Sequence, residues 1–287
     1  MPHMSQKPDA PPLASPVEII APGAVLRGTL FAPPEEAPQR AIMINAATGV
    51  PASFYKPFAQ WLSNSQQAAV LTWDYRDFGA SGRPYGSQAS MTDWGVHDPV
   101  AARNWMRERH PDLPLWIIGH SLGAMALPYQ TDLHQIDRVT AIAAGPGHVS
   151  QHPWPFRAQA WALWHLAGPL AISFLDHLPG RRLGLGNDLP IPVFRQWKRW
   201  CIDRGSLPAD PDLPAREKPG LTCPATLIAL DDDVMIPPDS VWKLAEWMPS
   251  ARTETRLLRP ADHGLKTVGH IAAFAPRNRA LWPLITA

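Results

Sequence analysis

The stretch WIIGHSLGAMAL, residues 116–127, constrains the fold more than any other part of the chain. Trp116, Ile117 and Ile118 are the short apolar run of a strand buried on both faces. Gly119 and Gly123 then bracket His120, Ser121 and Leu122 before an apolar, helix-like stretch begins. Strand, sharp turn and helix start in that order match G-x-S-x-G, in which a strained turn lifts a serine above a sheet and small neighbours keep the backbone clear of it. Five residues alone could be an ordinary tight turn; the strand before them and the helix after them favour a nucleophile at Ser121.

The surrounding text has the grammar that such a turn needs. AVLRGTLFAP and AIMIN read as strands, 51–64 as a helix, AAVLTW as a strand, 94–109 as a helix, LWIIG and RVTAIAA as strands. The alternation resumes with ATLIAL at 225–230, a helix from about Asp239 to Met248, the strand TETRLLR and a helical tail. This predicts an α/β fold with a mostly parallel central sheet flanked by helices. Between 147 and 220 the alternation gives way to Pro-, Trp- and Leu-rich text, which predicts an insertion of short helices forming a cap over the carboxyl edge of the sheet. The expected organisation is a polar, proline-rich, disordered lead over 1–16, a core made of 17–146 and 221–287, and the cap at 147–220.

Bulk properties exclude several classes of function. The chain has 287 residues, 45% of them hydrophobic, and a formal charge of +1 with no basic stripe, so nucleic acid is not an expected partner. Two cysteines, Cys201 and Cys223, are too few for a disulfide scaffold and suggest a reducing compartment; with no apolar signal core at the N-terminus, the expected location is the cytoplasm. The most apolar run, ALWHLAGPLAISFL at 162–175, is short of a membrane span and broken by Gly-Pro.

With Gly119–Gly123 placed on an expected strand–turn–helix, the chain resembles the α/β-hydrolase superfamily, over nearly all of its length after residue 17. DYRDFGASG at 74–82 is similar to that superfamily's D-x-R-G-x-G-x-S loop, with Asp77 in place of a glycine. INAATGVPASFYKPFAQWL, TDWGVHDP, LPGRRLGLGNDLP and WKRWC resemble uncharacterised bacterial α/β-hydrolases with a Trp-rich helical cap. The resemblance implies serine hydrolase chemistry and leaves the substrate open.

A serine hydroxyl needs a base within hydrogen-bond reach and a third group to orient that base, in the chain order Ser, acid, His. Asp231, Asp232 and Asp233 follow the strand ATLIAL, although an acidic turn capping the next helix could account for one or two of them. The acid of the superfamily commonly stands four residues before a proline; counted back from Pro237 this selects Asp233, with Asp232 as the alternative. For the base, His263 follows TETRLLR at a normal distance, whereas the Gly-His-apolar signature selects His270. Backbone N–H groups of Leu122 and of Ala47 or Ala46, in the turn NAATG, are the expected oxyanion donors, with Asn45 bracing the turn.

Other features have plainer readings. His148 and His152 share a ligand spacing but Pro153 argues against a shared helix, so no metal is expected, and no cofactor. His120 reads as a packing and hydrogen-bonding member of the elbow, His97 and Asp98 as a helix cap or solvated pair, and GRRLGLGND as a loop anchoring the cap. Trp154, Trp161, Trp164, Trp197 and Trp200 should pack the cap, at least one or two of them walling the pocket. The expected activity is cleavage of an ester or related acyl bond of a small hydrophobic substrate. Thioesterase or acyltransferase chemistry on the same residues, or a non-catalytic ligand-binding protein, are the alternatives; membrane association is not expected, and oligomeric state is open.

Overall fold

The aliphatic runs assemble into one eight-stranded sheet in the computed structural model, which describes residues 13–34, 37–203 and 205–287. In chain order the strands are β1 (Leu13–Ala21), β2 (Ala24–Ala32), β3 (Arg40–Asn45), β4 (Ala68–Trp73), β5 (Leu115–His120), β6 (Arg138–Ile142), β7 (Pro224–Leu230) and β8 (Arg252–Leu258). Across the sheet they run β1-β2-β4-β3-β5-β6-β7-β8. The pairs β1/β2 and β2/β4 are antiparallel and every later pair is parallel, so β3 to β8 end on the same edge. All six residues of β4 and of β5 are buried, as strands covered by helices on both faces require.

The start of the sheet corrects the sequence reading. Residues 13–16, expected in a disordered lead, open β1 and pair with β2 from Leu13↔Ala32 to Pro16↔Thr29; residues 1–12 of that lead lie outside the described residues. Only Ile19 and Ala21 of β1 are buried, with Val17 half-buried beside them, so the apolar alternation spans just the last five residues and main-chain bonds hold the first four. At the sheet edge Pro16 is tolerated despite its missing N–H.

Helix α1 (Ala52–Ser65) lays Tyr55, Phe58, Ala59 and Leu62 on the sheet, a helical spacing visible in the sequence. Helix α2 (Asp98–Arg109) continues a helical stretch that already runs from residue 91 and widens into a looser turn over 93–97, so the helix expected over 94–109 is present and starts three residues earlier. There Gly95 lies so close to the elbow that a Cβ would stand 2.5 Å from Ala126 Cβ. Asp98 is neither the helix cap nor the solvated member of a pair with His97 that the sequence suggested: it lies within the helix, buried, and Arg76 bonds it through the backbone N–H at 2.8 Å and Nε at 2.8 Å. Asp77 adopts the left-handed φ of +55° that its glycine-like place demands, a conformation aspartate tolerates, and its carboxylate accepts from Ser87 Oγ at 2.6 Å.

After the elbow helix α3 (Leu122–Met125), the chain between β6 and β7 carries α4 (Phe156–Ala162), α5 (Gly168–Phe174), α6 (Gly180–Leu183) and α7 (Ile191–Ile202). Two of the places where this helical insertion is fastened to the sheet domain lie near the elbow side of the sheet's carboxyl edge and along α7. Asn187 N–H donates to Gly49 O at 2.8 Å, and a Cβ at Gly49 or Gly186 would lie 2.2 Å from the carbonyl of Leu185 or Gly49, respectively; only glycine lets these backbones meet. Farther along, Gln196 Nε2 donates to Thr92 Oγ1 at 2.7 Å and to Asp210 Oδ2 at 3.0 Å, while the Trp200 indole and Arg199 also donate to Asp210. Helices α8 (Pro238–Lys243) and α9 (Trp282–Thr286) complete the cover.

Candidate active site

Ser121 is the residue between β5 and α3, held at φ +53°, ψ −116°. Its N–H donates to Ile142 O at 2.9 Å and its carbonyl accepts from Met125 N at 2.9 Å, so the side chain alone is free to face outward. The flanking glycines are obligatory here. A Cβ at Gly119 would meet Ala124 Cβ at 2.6 Å, and one at Gly123 would meet Asn45 O at 2.3 Å. Asn45 Nδ2 donates to Gly123 O at 3.2 Å and so braces the elbow from the end of β3.

Two distant loops bring partners to that serine. His270 Nε2 lies 3.0 Å from Ser121 Oγ, and His270 Nδ1 lies 2.7 Å from Asp233 Oδ2. The Asp233 side chain is fully buried, and its other oxygen accepts from the backbone N–H groups of Met235 at 2.8 Å and Ile236 at 3.0 Å. With Nδ1–H committed to the carboxylate, Nε2 is left as the acceptor for the serine proton.

The three consecutive aspartates divide three tasks. Asp231 makes only a loose 3.9 Å pair with Arg259. Asp232 accepts from Thr267 Oγ1 at 3.0 Å and from the N–H groups of Val268 at 2.7 Å and Gly269 at 3.0 Å, fixing the loop that carries His270. Asp233 alone reaches the imidazole. His263 sits in a short turn directly after β8 and lines neither cavity that Ser121 faces.

Of the two expected oxyanion donors, the Leu122 N–H has no hydrogen-bond partner among the described residues, and Leu122 lines the cavity beside Ser121. The Ala47 N–H is already spent: it donates to Tyr55 Oη at 3.0 Å in a fully buried setting. One residue on, Thr48 lines both cavities and its N–H has no partner among the described residues. Thr48 was not among the residues singled out from the sequence, because the register of a turn against a serine 73 residues away is not written locally.

Two cavities meet at Ser121, Thr48 and His270. One, of about 290 Å³, runs under the insertion between Met125, Phe156, Leu163, Trp164, Trp197 and Trp200. The second, of about 440 Å³, lies between the turn at Gly49–Ser53 and the Gly184–Asn187 loop. Among the described residues, none that lines either cavity is Asp, Glu, Lys or Arg. Three of the five insertion tryptophans singled out from the sequence thus wall the first cavity, whereas Trp154 and Trp161 are exposed.

His120 is fully buried, and burial, followed by the neighbouring His270, drives its pKa down to about 3. An unfolded-chain histidine titrates near 6.5, so between about 6.5 and 3 the unfolded state binds the extra proton and stability falls as the pH is lowered. Denaturant unfolding of the wild type and of His120→Asn checks this. Relative to the variant, the wild type is expected to lose about 2 kcal/mol on going from pH 7.5 to pH 5.

Among the described residues no three His, Cys, Asp or Glu side chains cluster as metal ligands, and no helix is long and apolar enough to cross a membrane. Comparison with known proteins places this geometry in context. The sequence profile of the family described as serine aminopeptidase S33 matches residues 36–182, just over half of the chain. Among curated proteins none matches. In fold the chain is similar to an esterase of Pyrococcus furiosus (16% identity, TM-score 0.60, covering 96% of this chain and 88% of that one). It is also similar to an esterase of Pyrobaculum calidifontis (14%, 0.58, 99% and 86%) and to the enol-lactonase of Burkholderia xenovorans (18%, 0.57, 94% and 98%). At such identities the likeness is one of fold.

Proposed function

We propose that this chain, which belongs to the serine aminopeptidase S33 family of α/β-hydrolases, cleaves a small neutral ester through an acyl-enzyme on Ser121. The observation that carries this reading is the row from Asp233 through His270 to Ser121, with contacts of 2.7 and 3.0 Å, ending where two uncharged cavities join. In the first step His270 Nε2 takes the proton of Ser121 Oγ as that oxygen attacks the carbonyl carbon, and Asp233 holds the resulting imidazolium. The oxyanion is met by the N–H groups of Leu122 and Thr48. Collapse expels the alcohol, which takes the proton from His270; water then repeats the sequence and releases the acid.

The lining of the cavities favours one class of substrate over the others. An aminopeptidase must bind a free ammonium, and an acyl-CoA brings several phosphates, yet among the described residues no Asp, Glu, Lys or Arg lines either cavity to pair with them. A neutral ester, its acyl and alcohol parts one in each cavity, needs no such partner. On this reading the insertion is a cap whose tryptophans set the size of the group enclosed.

A substrate panel separates the readings. Neutral p-nitrophenyl esters are expected to be hydrolysed, while amino-acid p-nitroanilides with a free amine, and acyl-CoAs, react at least about a hundredfold more slowly in kcat/KM, the scale of leaving a charged group unpaired in an apolar site. A faster anilide reaction would overturn the ester assignment in favour of the peptidase one. Failure to take up a fluorophosphonate would point to a ligand-binding protein without turnover.

A further inference from the structure

We propose that Tyr55 and His120 form a buried strut between the Ala46–Thr48 turn and the backbone of His270, and that this pair positions the oxyanion donor relative to the base. The inference rests on the reaction assigned to Ser121. It concerns two side chains that touch neither the serine nor its imidazole partner by a hydrogen bond. His120 Nε2 lies 2.9 Å from the main-chain carbonyl of His270, and His120 Nδ1 lies 2.7 Å from Tyr55 Oη, which in turn accepts the Ala47 N–H at 3.0 Å.

Every proton in this row has a forced place. A carbonyl can only accept, so Nε2 of His120 carries the hydrogen; Nδ1 of the neutral ring therefore accepts a hydrogen bond from the Tyr55 hydroxyl, and Tyr55 Oη is then free to accept from Ala47. The neutral state that this pattern requires is the one burial enforces, with the pKa of His120 lowered to about 3. Both rings are fixed as well. Phe274 packs on Tyr55 and on His120 with centroids 5.1 and 5.2 Å away.

Two apolar side chains of similar size could fill this volume without the cost of burying polar groups. What they could not do is join two main-chain atoms belonging to segments far apart in the chain. Residue 47 and residue 270 carry the two ends of the row, each within one residue of a group that the proposed reaction uses: Thr48 on one side and His270 itself on the other. A misplacement of about 1 Å between such groups costs on the order of a hundredfold in rate.

Tyr55→Phe breaks the strut and preserves the ring. His120→Asn keeps an acceptor near the Nδ1 position, and His120→Gln keeps a donor near the Nε2 position. Kinetics on a p-nitrophenyl ester are expected to show kcat for Tyr55→Phe about 10- to 100-fold below wild type with KM within about threefold, each glutamine or asparagine variant losing less than His120→Leu. Because the links act in series, Tyr55→Phe combined with His120→Leu should fall no further than His120→Leu alone. A Tyr55→Phe protein that unfolds cooperatively yet keeps kcat within twofold of wild type overturns the proposal, as do losses that simply multiply. Nitrogen-15 NMR of the wild type supplies a readout independent of turnover: His120 should be neutral and protonated at Nε2 at pH 5. A charged or Nδ1-protonated ring there sinks the strut even if Ser121 is the nucleophile. A wild type that hydrolyses no ester sinks the reaction assigned to Ser121 while the spectrum still judges the row.

Discussion

Ser121→Ala is expected to lower kcat for ester hydrolysis by roughly four to six orders of magnitude and to abolish covalent capture of a fluorophosphonate. Alanine deletes the one atom that His270 Nε2 faces at 3.0 Å and leaves the fold its anchors, since those run through the main chain of residue 121. The unusual φ of +53° is borne equally by serine and alanine, so the variant should remain folded and measurable. Intact-mass spectrometry reads the adduct directly. A variant that keeps a tenth of the wild-type rate, or still takes the label, would remove Ser121 from the mechanism.

Asp233→Asn should cost about 10⁴ in kcat, and the reason lies in how both carboxylate oxygens are used. Oδ1 accepts two backbone N–H groups and Oδ2 accepts from His270 Nδ1. An amide has only one oxygen. Turned toward Met235 and Ile236, it presents its NH₂ to the imidazole, which must then accept at Nδ1 and carry its proton on Nε2, the tautomer that cannot take a proton from Ser121. Asp232→Asn is the matched control. Its carboxylate holds the loop at 267–269 and never reaches the ring, so its loss should be far smaller and should include a fall in stability. Equal losses for the two would mean that Asp233 orients the loop and not the base. Rates over a pH series, with unfolding followed in parallel, distinguish the outcomes.

The neighbouring residues show why some roles are legible in a sequence and others are not. Asp98 reads in the sequence as a helix cap or solvated pair, yet it lies inside a helix that runs from residue 91, Arg76 reaches it from the loop after β4, and both its oxygens are taken up. Nothing within a turn of Asp98 announces that arginine. Similarly, the alanines of NAATG look equivalent by composition. Which N–H of the turn stays without a partner among the described residues depends on Tyr55, whose hydroxyl has claimed that of Ala47. The start of β1 was unreadable for a different reason, because its cohesion comes from backbone pairing and its first four residues are exposed.

Local chemistry alone determined the strand–turn–helix at 115–125, the need for Gly119 and Gly123 beside the serine, and the alternation that makes a parallel sheet. Each follows from interactions within a few residues: β-branched runs bury, glycines admit close backbones, turns demand particular φ values. The tertiary structure decided what those elements do together. Thirty-seven residues separate Asp233 from His270, and 149 separate His270 from Ser121; their contacts exist only because parallel strands deliver all three loops to one edge of the sheet. Side-chain identity offered the candidates, and the register of the sheet chose among them.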